Sequence, residues 1–337
     1  MRTTIVGGAG FIGSHLAEYL VGAGDTVTVL DDFSSGTPQN LRGCRSNPAF
    51  TLHEGSSRDG TAARRAIDGA DRVFHLAGAG RPEPDRDRGR PPGSPHAGGQ
   101  GIRAVLDACL AADAELLLAS SGRIAGSTAA ERSSGRSSGL SSTQRRDDAV
   151  VSSSEEALAY AHWRTDGLKV SIVRLFTVAG PRQTRRYGGI IPDLVACALR
   201  NDPLLVPGDG RHTRCYSYVG DIVPAMVRII AEPAARGLVL DLGGVQEVSD
   251  LELAHRTVQI LGSRSRITLV PDGGSRRPAE DACCGAPDCT LARRLGRFNP
   301  ASSLDTIILK VAKDVLSAAA NGVHAAGVPL REPALEG

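Results

Sequence analysis

This 337-residue sequence predicts a doubly wound α/β domain on a parallel sheet, with a smaller C-terminal α/β lobe. Three observations carry that prediction. Short apolar runs alternate with helix-like segments through the first half, a glycine-spaced loop follows the first run, and an acidic residue closes the second.

Taken in order, residues 3–6, 26–30, 72–76, 116–120 and 170–175 read as strands, and residues 11–21, 62–67, 101–111 and 153–164 as helices. Strands separated by helices need crossover connections. Such connections give a parallel sheet covered on both faces. Residues 81–99, rich in Pro, Gly, Arg and Asp, and residues 127–148, rich in Ser, Arg and Gly, read as mobile loops. The first domain is expected to span residues 1–176. Beyond it the alternation breaks into shorter pieces, a lobe over 177–337 suited to covering a ligand, from which 237–243 reads as a strand able to rejoin the main sheet.

Gly7-Gly8-Ala9-Gly10-Phe11-Ile12-Gly13 follows the first strand and opens the first helix. Glycines at this spacing allow a tight turn, a close approach of backbone N–H groups to a pyrophosphate, and close packing of helix on strand. Asp31 ends the second strand, where a carboxylate accepts hydrogen bonds from the adenosine ribose hydroxyls and repels a ribose phosphate. The expectation is a Rossmann-type domain that binds NAD in preference to NADP.

The formal charge of +2 gives no electrostatic case for nucleic acid or a membrane surface as partner, and 41% hydrophobic residues suit a sizeable core. No basic leader, cleavage site or membrane-length apolar run is found, which leads to an expectation of a cytoplasmic protein. Seven scattered cysteines argue against a secreted disulfide framework, and Cys283, Cys284 and Cys289 lack the second ligand pair of a zinc site. No metal is expected.

Further segments carry a resemblance. Val27-Thr28-Val29-Leu30-Asp31-Asp32-Phe33-Ser34-Ser35-Gly36, Val73-Phe74-His75-Leu76-Ala77-Gly78, Val173-Arg174-Leu175-Phe176-Thr177-Val178-Ala179-Gly180-Pro181-Arg182-Gln183 and Pro207-Gly208-Asp209-Gly210-Arg211-His212-Thr213-Arg214 resemble the extended short-chain dehydrogenases. Within that family they are similar to NAD-dependent epimerases and dehydratases of nucleotide sugars, nearest UDP-glucuronate decarboxylases and UDP-glucose 4-epimerases. The resemblance implies that Asp31, Asp32, Ser34, Ser35 and Gly36 surround the adenosine, while Leu76, Ala77 and Gly78 pass close to the dinucleotide. His75 reads as a packed structural histidine.

For the substrate side the resemblance implies Thr177 near the sugar, in place of the usual Asn, and Arg214 with Arg277 as a diphosphate clamp. A planar guanidinium suits that task, since it donates paired hydrogen bonds to phosphate oxygens. A homodimer through the helices near Gly101 and Ser153 is also implied.

Chemistry is where the sequence departs. Family enzymes oxidise a sugar hydroxyl by hydride transfer to NAD while a Tyr, its pKa lowered by a Lys four residues on, takes the proton. Counting back from Gly167 and Arg174 places Asp148 at the Tyr and Ser152 at the Lys, and no Tyr or Lys lies between Tyr19 and Tyr160. Ser121 is the counterpart of the hydroxyl residue that orients the substrate. Gly122 and Arg123 stand where dehydratases often have an acid, Ser56 where the family has Asp, and Gly98 where it has Asn. Three readings follow: a nucleotide-sugar enzyme with altered acid and base groups, a binding or regulatory pseudoenzyme, and a tailoring enzyme that reuses the pocket for non-redox isomerisation, elimination or cyclisation.

Overall fold

The computed structural model describes residues 1–77, 96–122, 142–183, 189–271 and 286–320, and in 96–100 and 142–151 the backbone alone. Within these the chain forms two compact units. One comprises Met1–Val178, Arg214–Glu247 and Ala282–Ala301; the other comprises Ala179–Thr213, Val248–Asp281 and Ser302–Gly337.

The first unit is built on a seven-stranded sheet. Its strands are β1 (Arg2–Val6), β2 (Thr26–Asp31), β3 (Phe50–Glu54), β4 (Arg72–His75), β5 (Glu115–Ser121), β6 (Val170–Leu175) and a late strand, Val239–Leu242. Starting from the late strand, the order is β6, β5, β4, β1, β2, β3, and every pairing is parallel. β1 therefore lies between β2 and β4, and the winding reverses there. In open α/β sheets a ligand sits at such a switch point, beyond the carboxyl ends of the strands.

Apolar strands buried on both faces need two helical layers. Ile5, Val27, Val29, Phe74 and Leu117 pack with Leu16 and Leu20 of α1 (Phe11–Gly22) in one core. On the opposite face Val6, Val73, Leu116 and Leu118 pack with residues of α2 (Gly60–Ile67), α3 (His96–Ala112) and α4 (Ser142–Asp166). Asp59 starts α2, its carboxylate accepting the Thr61 N–H at 2.8 Å.

Two sequence expectations are corrected here. His96–Gly99 and Ser142–Asp148, read as loop, are helical and extend α3 and α4 toward their N-termini. Gly, Ser and Asp weaken helix propensity, which hides these first turns from a reading by composition. Strand β3 was not anticipated, because its His53 and Glu54 break the apolar pattern on a half-buried edge.

The late strand pairs with β6, placing Leu240 and Leu242 in the core of the α1 face. The sheet unit also takes in residues that a single break after 176 would assign to the other lobe. In the chain order, α5 (Ile190–Leu199) belongs to the second unit, whereas α6 (Val219–Ile230) buries Ile222, Val223, Met226 and Ile229 in that same α1-side core.

In the second unit a parallel pair, β7 (Leu204–Pro207) and Ile267–Val270, packs with α5 and α7 (Asp250–Leu261). Ser249 caps α7 by accepting the Glu252 N–H at 3.1 Å, and Gly262 ends it at φ +61°. The C-terminal helix Leu304–Ala320 is tied to α7 by Arg256, which donates to Asp305. No helix among the described residues is long and apolar enough to cross a membrane.

Candidate functional site: a glycine cradle at the switch point

The turn between β1 and α1 stands at the switch point. Gly7 adopts φ +82°, and a Cβ there would lie 2.7 Å from the Ala77 nitrogen and 2.9 Å from the Leu76 carbonyl carbon. Only glycine lets this turn lie against the end of β4. At Gly13 a Cβ would overlap the Gly7 carbonyl oxygen and stand 2.7 Å from the Gly8 Cα, so glycine there brings α1 down onto the turn. Gly10 differs. A Cβ on it would meet nothing within 4 Å except the Gly7 oxygen at 3.3 Å, so the loop has room on that side.

No acidic side chain occupies the first turn of α1, and Gly10 supplies no side-chain cap. The first intrahelical bond runs from Ser14 N–H to Gly10 C=O at 3.0 Å. The N–H groups of Phe11, Ile12 and Gly13 precede it and have no intrahelical acceptor. Such a helix end can take a pyrophosphate.

The Ala9 peptide fixes the loop. Its N–H donates to Asp31 Oδ2 at 2.8 Å, and its carbonyl accepts from Asn40 Nδ2 at 2.8 Å and from the Thr37 N–H at 3.1 Å. Gly36 backs onto the same residue, since a Cβ there would lie 2.5 Å from the Ala9 carbonyl carbon. Asn40 and Thr37 were missed in the sequence, although Thr37-Pro38 does signal the short 3₁₀ turn that presents Asn40.

Asp31 is 7% exposed and also accepts the Phe33 N–H at 2.9 Å. Burial raises its pKa, against the lowering effect of the Phe33 and Ala9 hydrogen bonds. Asp32 is exposed. Desolvation would raise its pKa, but hydrogen bonds from Ser34 and Ser56 outweigh that and hold it below the usual value. Ser34 and Ser35 are exposed beside it, and Leu76 donates its N–H to Val6 C=O at 2.8 Å. The structure thus brings together Gly7, Gly10, Phe11, Ile12, Gly13, Asp31, Gly36, Leu76 and Ala77. Gly78 lies outside the described residues.

At the end of β5, Ser121 is half-buried opposite Leu175, and Gly122 donates its N–H to the Leu175 carbonyl at 3.0 Å. A Cβ at Gly122 would stand 2.7 Å from the Phe176 ring, so a side chain at this position would have to displace that ring. Positions 148 and 152 lie on α4, four apart and hence neighbours on one stripe. Ser152 is half-buried; the Asp148 side chain lies outside the described residues, as does Arg277. Further along α4, Glu156 takes a two-pronged hydrogen bond from Arg174 at 2.9 and 2.8 Å. Thr177 uses its carbonyl to accept the Ser217 N–H at 3.0 Å, and Arg214 is half-buried in the strand Thr213–Cys215. No group of three or more potential metal ligands occurs among the described residues.

A sequence model of the NAD-dependent epimerase/dehydratase family matches residues 3–243. The chain belongs to that family. As a member it takes NAD as cofactor, and the glycine cradle with its uncapped helix end has the room and the donors a dinucleotide needs.

The chain is 32% identical over 304 residues to the UDP-N-acetyl-alpha-D-glucosaminuronate decarboxylase of Bacillus cytotoxicus, covering 89% of this chain and 92% of that protein. It is 28% identical over 310 residues to UDP-glucuronic acid decarboxylase 1 of Arabidopsis thaliana, covering 90% and 67%. Among solved structures, UDP-glucose 4-epimerase of Thermotoga maritima with UDP-glucose shares the fold at a TM-score of 0.77 and 23% identity, covering 95% of this chain and all of that one. UDP-glucuronic acid 4-epimerase of Bacillus cereus in complex with NAD does so at 0.76 and 23%, covering 94% and 99%.

Proposed function

We propose that this protein is an NAD-dependent enzyme acting on a nucleotide sugar, with acid–base groups that differ from the Tyr–Lys pair of its family. The observation that carries the cofactor half is the Ala9 peptide clamped between Asp31 and Asn40, which holds the helix end open for a pyrophosphate. The substrate half rests on likeness to a UDP-sugar decarboxylase along 92% of that enzyme's length.

NAD, when bound, supplies the hydride acceptor and donor. The N–H groups of Phe11, Ile12 and Gly13 donate to its pyrophosphate, and Asp31, with Asp32, Ser34, Ser35 and Gly36 around it, receives the adenosine ribose. Leu76, Ala77 and Gly78 line the approach at the end of β4. Ser121 orients the sugar hydroxyl through its Oγ, and Asp148, at the position of the family's tyrosine, accepts the hydroxyl proton on its carboxylate. A carboxylate is a weak base for this task, so turnover is slow. Thr177, Arg214 and Arg277 bind the sugar and the diphosphate. The protein acts as a homodimer joined through α3 and α4, a reading supported by the exposed Ala157, Tyr160 and Ala161 on α4.

The test is mass spectrometry of nucleotide released from purified protein, followed by chromatography of a UDP-sugar panel incubated with it. Released NAD and a converted UDP-sugar are expected. Sugar binding without conversion would instead make the protein a binding or regulatory relative. Failure of every nucleotide sugar to bind would point to a tailoring enzyme with another substrate.

A further inference from the structure

The stripe of α4 that faces the sheet carries a buried carboxyl that the proposed reaction does not use. Ala159 on that stripe shares a core with Val73, Leu116 and Leu118. Glu155 stands one turn earlier on the same stripe and is 5% exposed. In the sheet, His75 follows Val73 by two residues on β4 and Ser120 follows Leu118 by two on β5, so both point to this covered face. They are 2% and 8% exposed.

His75 pairs with Leu118 across the strands, which makes Ser120 its diagonal neighbour on the same face. α4 runs antiparallel to the strands, since it leads through a short turn into β6, parallel to β5. Glu155 lies about 18 Å up the helix from Gly167, and Ser120 about 13 Å up β5 from Leu116, the partner of Val170. The three residues therefore lie on one covered face of the sheet, toward its carboxyl end.

His75 Nδ1 and Ser120 Oγ have no hydrogen-bond partner among the described residues. Buried polar atoms in native proteins are satisfied by protein or by ordered water. We propose that His75, Ser120 and Glu155 form a buried water-binding site at the carboxyl end of the sheet, in which Glu155 holds an exchangeable proton. Positions 148, 152 and 155 follow i, i+4 and i+7, so the proton is kept on the stripe where the family pattern has its Tyr–Lys pair.

Electrostatics agree with that geometry. Burial pushes the Glu155 carboxyl up to about 7 and His75 down to about 4, so near neutral pH the imidazole is uncharged and offers one nitrogen as acceptor. Among the described side chains, the charged groups on the surrounding elements are engaged elsewhere or face solvent, as Arg64 and Arg65 on α2 do. Arg174 on β6 pairs with Glu156, Glu115 on β5 with Arg72 and Arg236, and Lys169 before β6 with Asp113. Arg103 and Asp107 on α3 are exposed. Among the described residues, burial is the cause acting on Glu155.

The experiment is difference infrared spectroscopy of the full-length protein, without added NAD or sugar, titrated through neutral pH. A protonated-carboxyl band with a midpoint near 7 is expected, lost in Glu155→Gln and shifted by half a pH unit or more in Ser120→Ala. Absence of the band near neutral pH, or its persistence in Glu155→Gln, would overturn the proposal. If Glu155→Gln fails to fold, an unchanged midpoint in Ser120→Ala overturns it equally. No ligand enters the measurement, so a negative result leaves the proposed activity standing.

Discussion

The Asp31 carboxylate accepts the Ala9 N–H at 2.8 Å, so the residue placed to receive a ribose also holds the turn that receives the pyrophosphate. Two tasks on one side chain separate in mutants. Asp31→Asn keeps an acceptor for the loop and removes the charge, whereas Asp31→Ala removes both. Hydrogen bonds to charged groups contribute about 1.5–3 kcal/mol, so NAD affinity should fall roughly 10- to 100-fold in Asp31→Ala. Asp31→Asn should lose less and should discriminate less against NADP. Isothermal titration with both dinucleotides measures each effect.

Gly7 and Gly22 make a matched pair for testing the cradle. Gly7→Ala forces a Cβ into the Ala77 backbone at a φ of +82°, and a loss of roughly 3 kcal/mol or more is expected from the clash and the strain together. At the exposed end of α1, Gly22 has nothing within 4 Å of its Cβ position, and Gly22→Ala should be neutral or stabilising by about 0.5 kcal/mol. Urea unfolding compares the two. Equal effects would show that the turn does not lie against β4.

Glu156→Ala removes both short hydrogen bonds from the half-buried Arg174 and leaves Asp241 as its neighbouring carboxylate, so it should cost about 1.5–3 kcal/mol. Unfolding free energy, compared with that of Arg200→Ala in an exposed pair, reads this directly.

How much of this was legible beforehand depends on what each residue touches. The glycine spacing and Asp31 declare themselves because a turn against a strand end and a carboxylate at a strand tip need those residue types in that order. Asn40 does not, since its partner is a backbone carbonyl 31 residues away that leaves no mark in the sequence. Likewise nothing in the sequence marks Glu155 and Glu156 as buried, because the packing of the helix decides it. Residues 214–247 return to the sheet unit because the apolar stripe of α6 fits the α1 layer, a long-range match that periodicity alone cannot assign.

Glu155 also sets a pH dependence of stability. The folded protein keeps its proton up to about pH 7, while the unfolded chain loses it near the ordinary glutamate value of 4.5. Protons are therefore released on unfolding between those values, and stability from this group falls as pH rises through that window. Above it the full cost, about 3 kcal/mol, is in place. Glu155→Gln should match wild type near pH 4.5 and exceed it by up to that amount near pH 8, as urea midpoints across the range will show. A constant difference would contradict the burial of an ionisable carboxyl.

The most direct test of the central claim is to mix the NAD-loaded protein with UDP-glucuronate and follow nicotinamide reduction and sugar product in one turnover. Slow, substrate-dependent NADH formation or sugar conversion is predicted, abolished in Asp148→Asn and retained in Tyr160→Phe. Bound NAD and bound sugar with neither reduction nor product over many hours would contradict the account and leave a binding protein on an enzyme's fold.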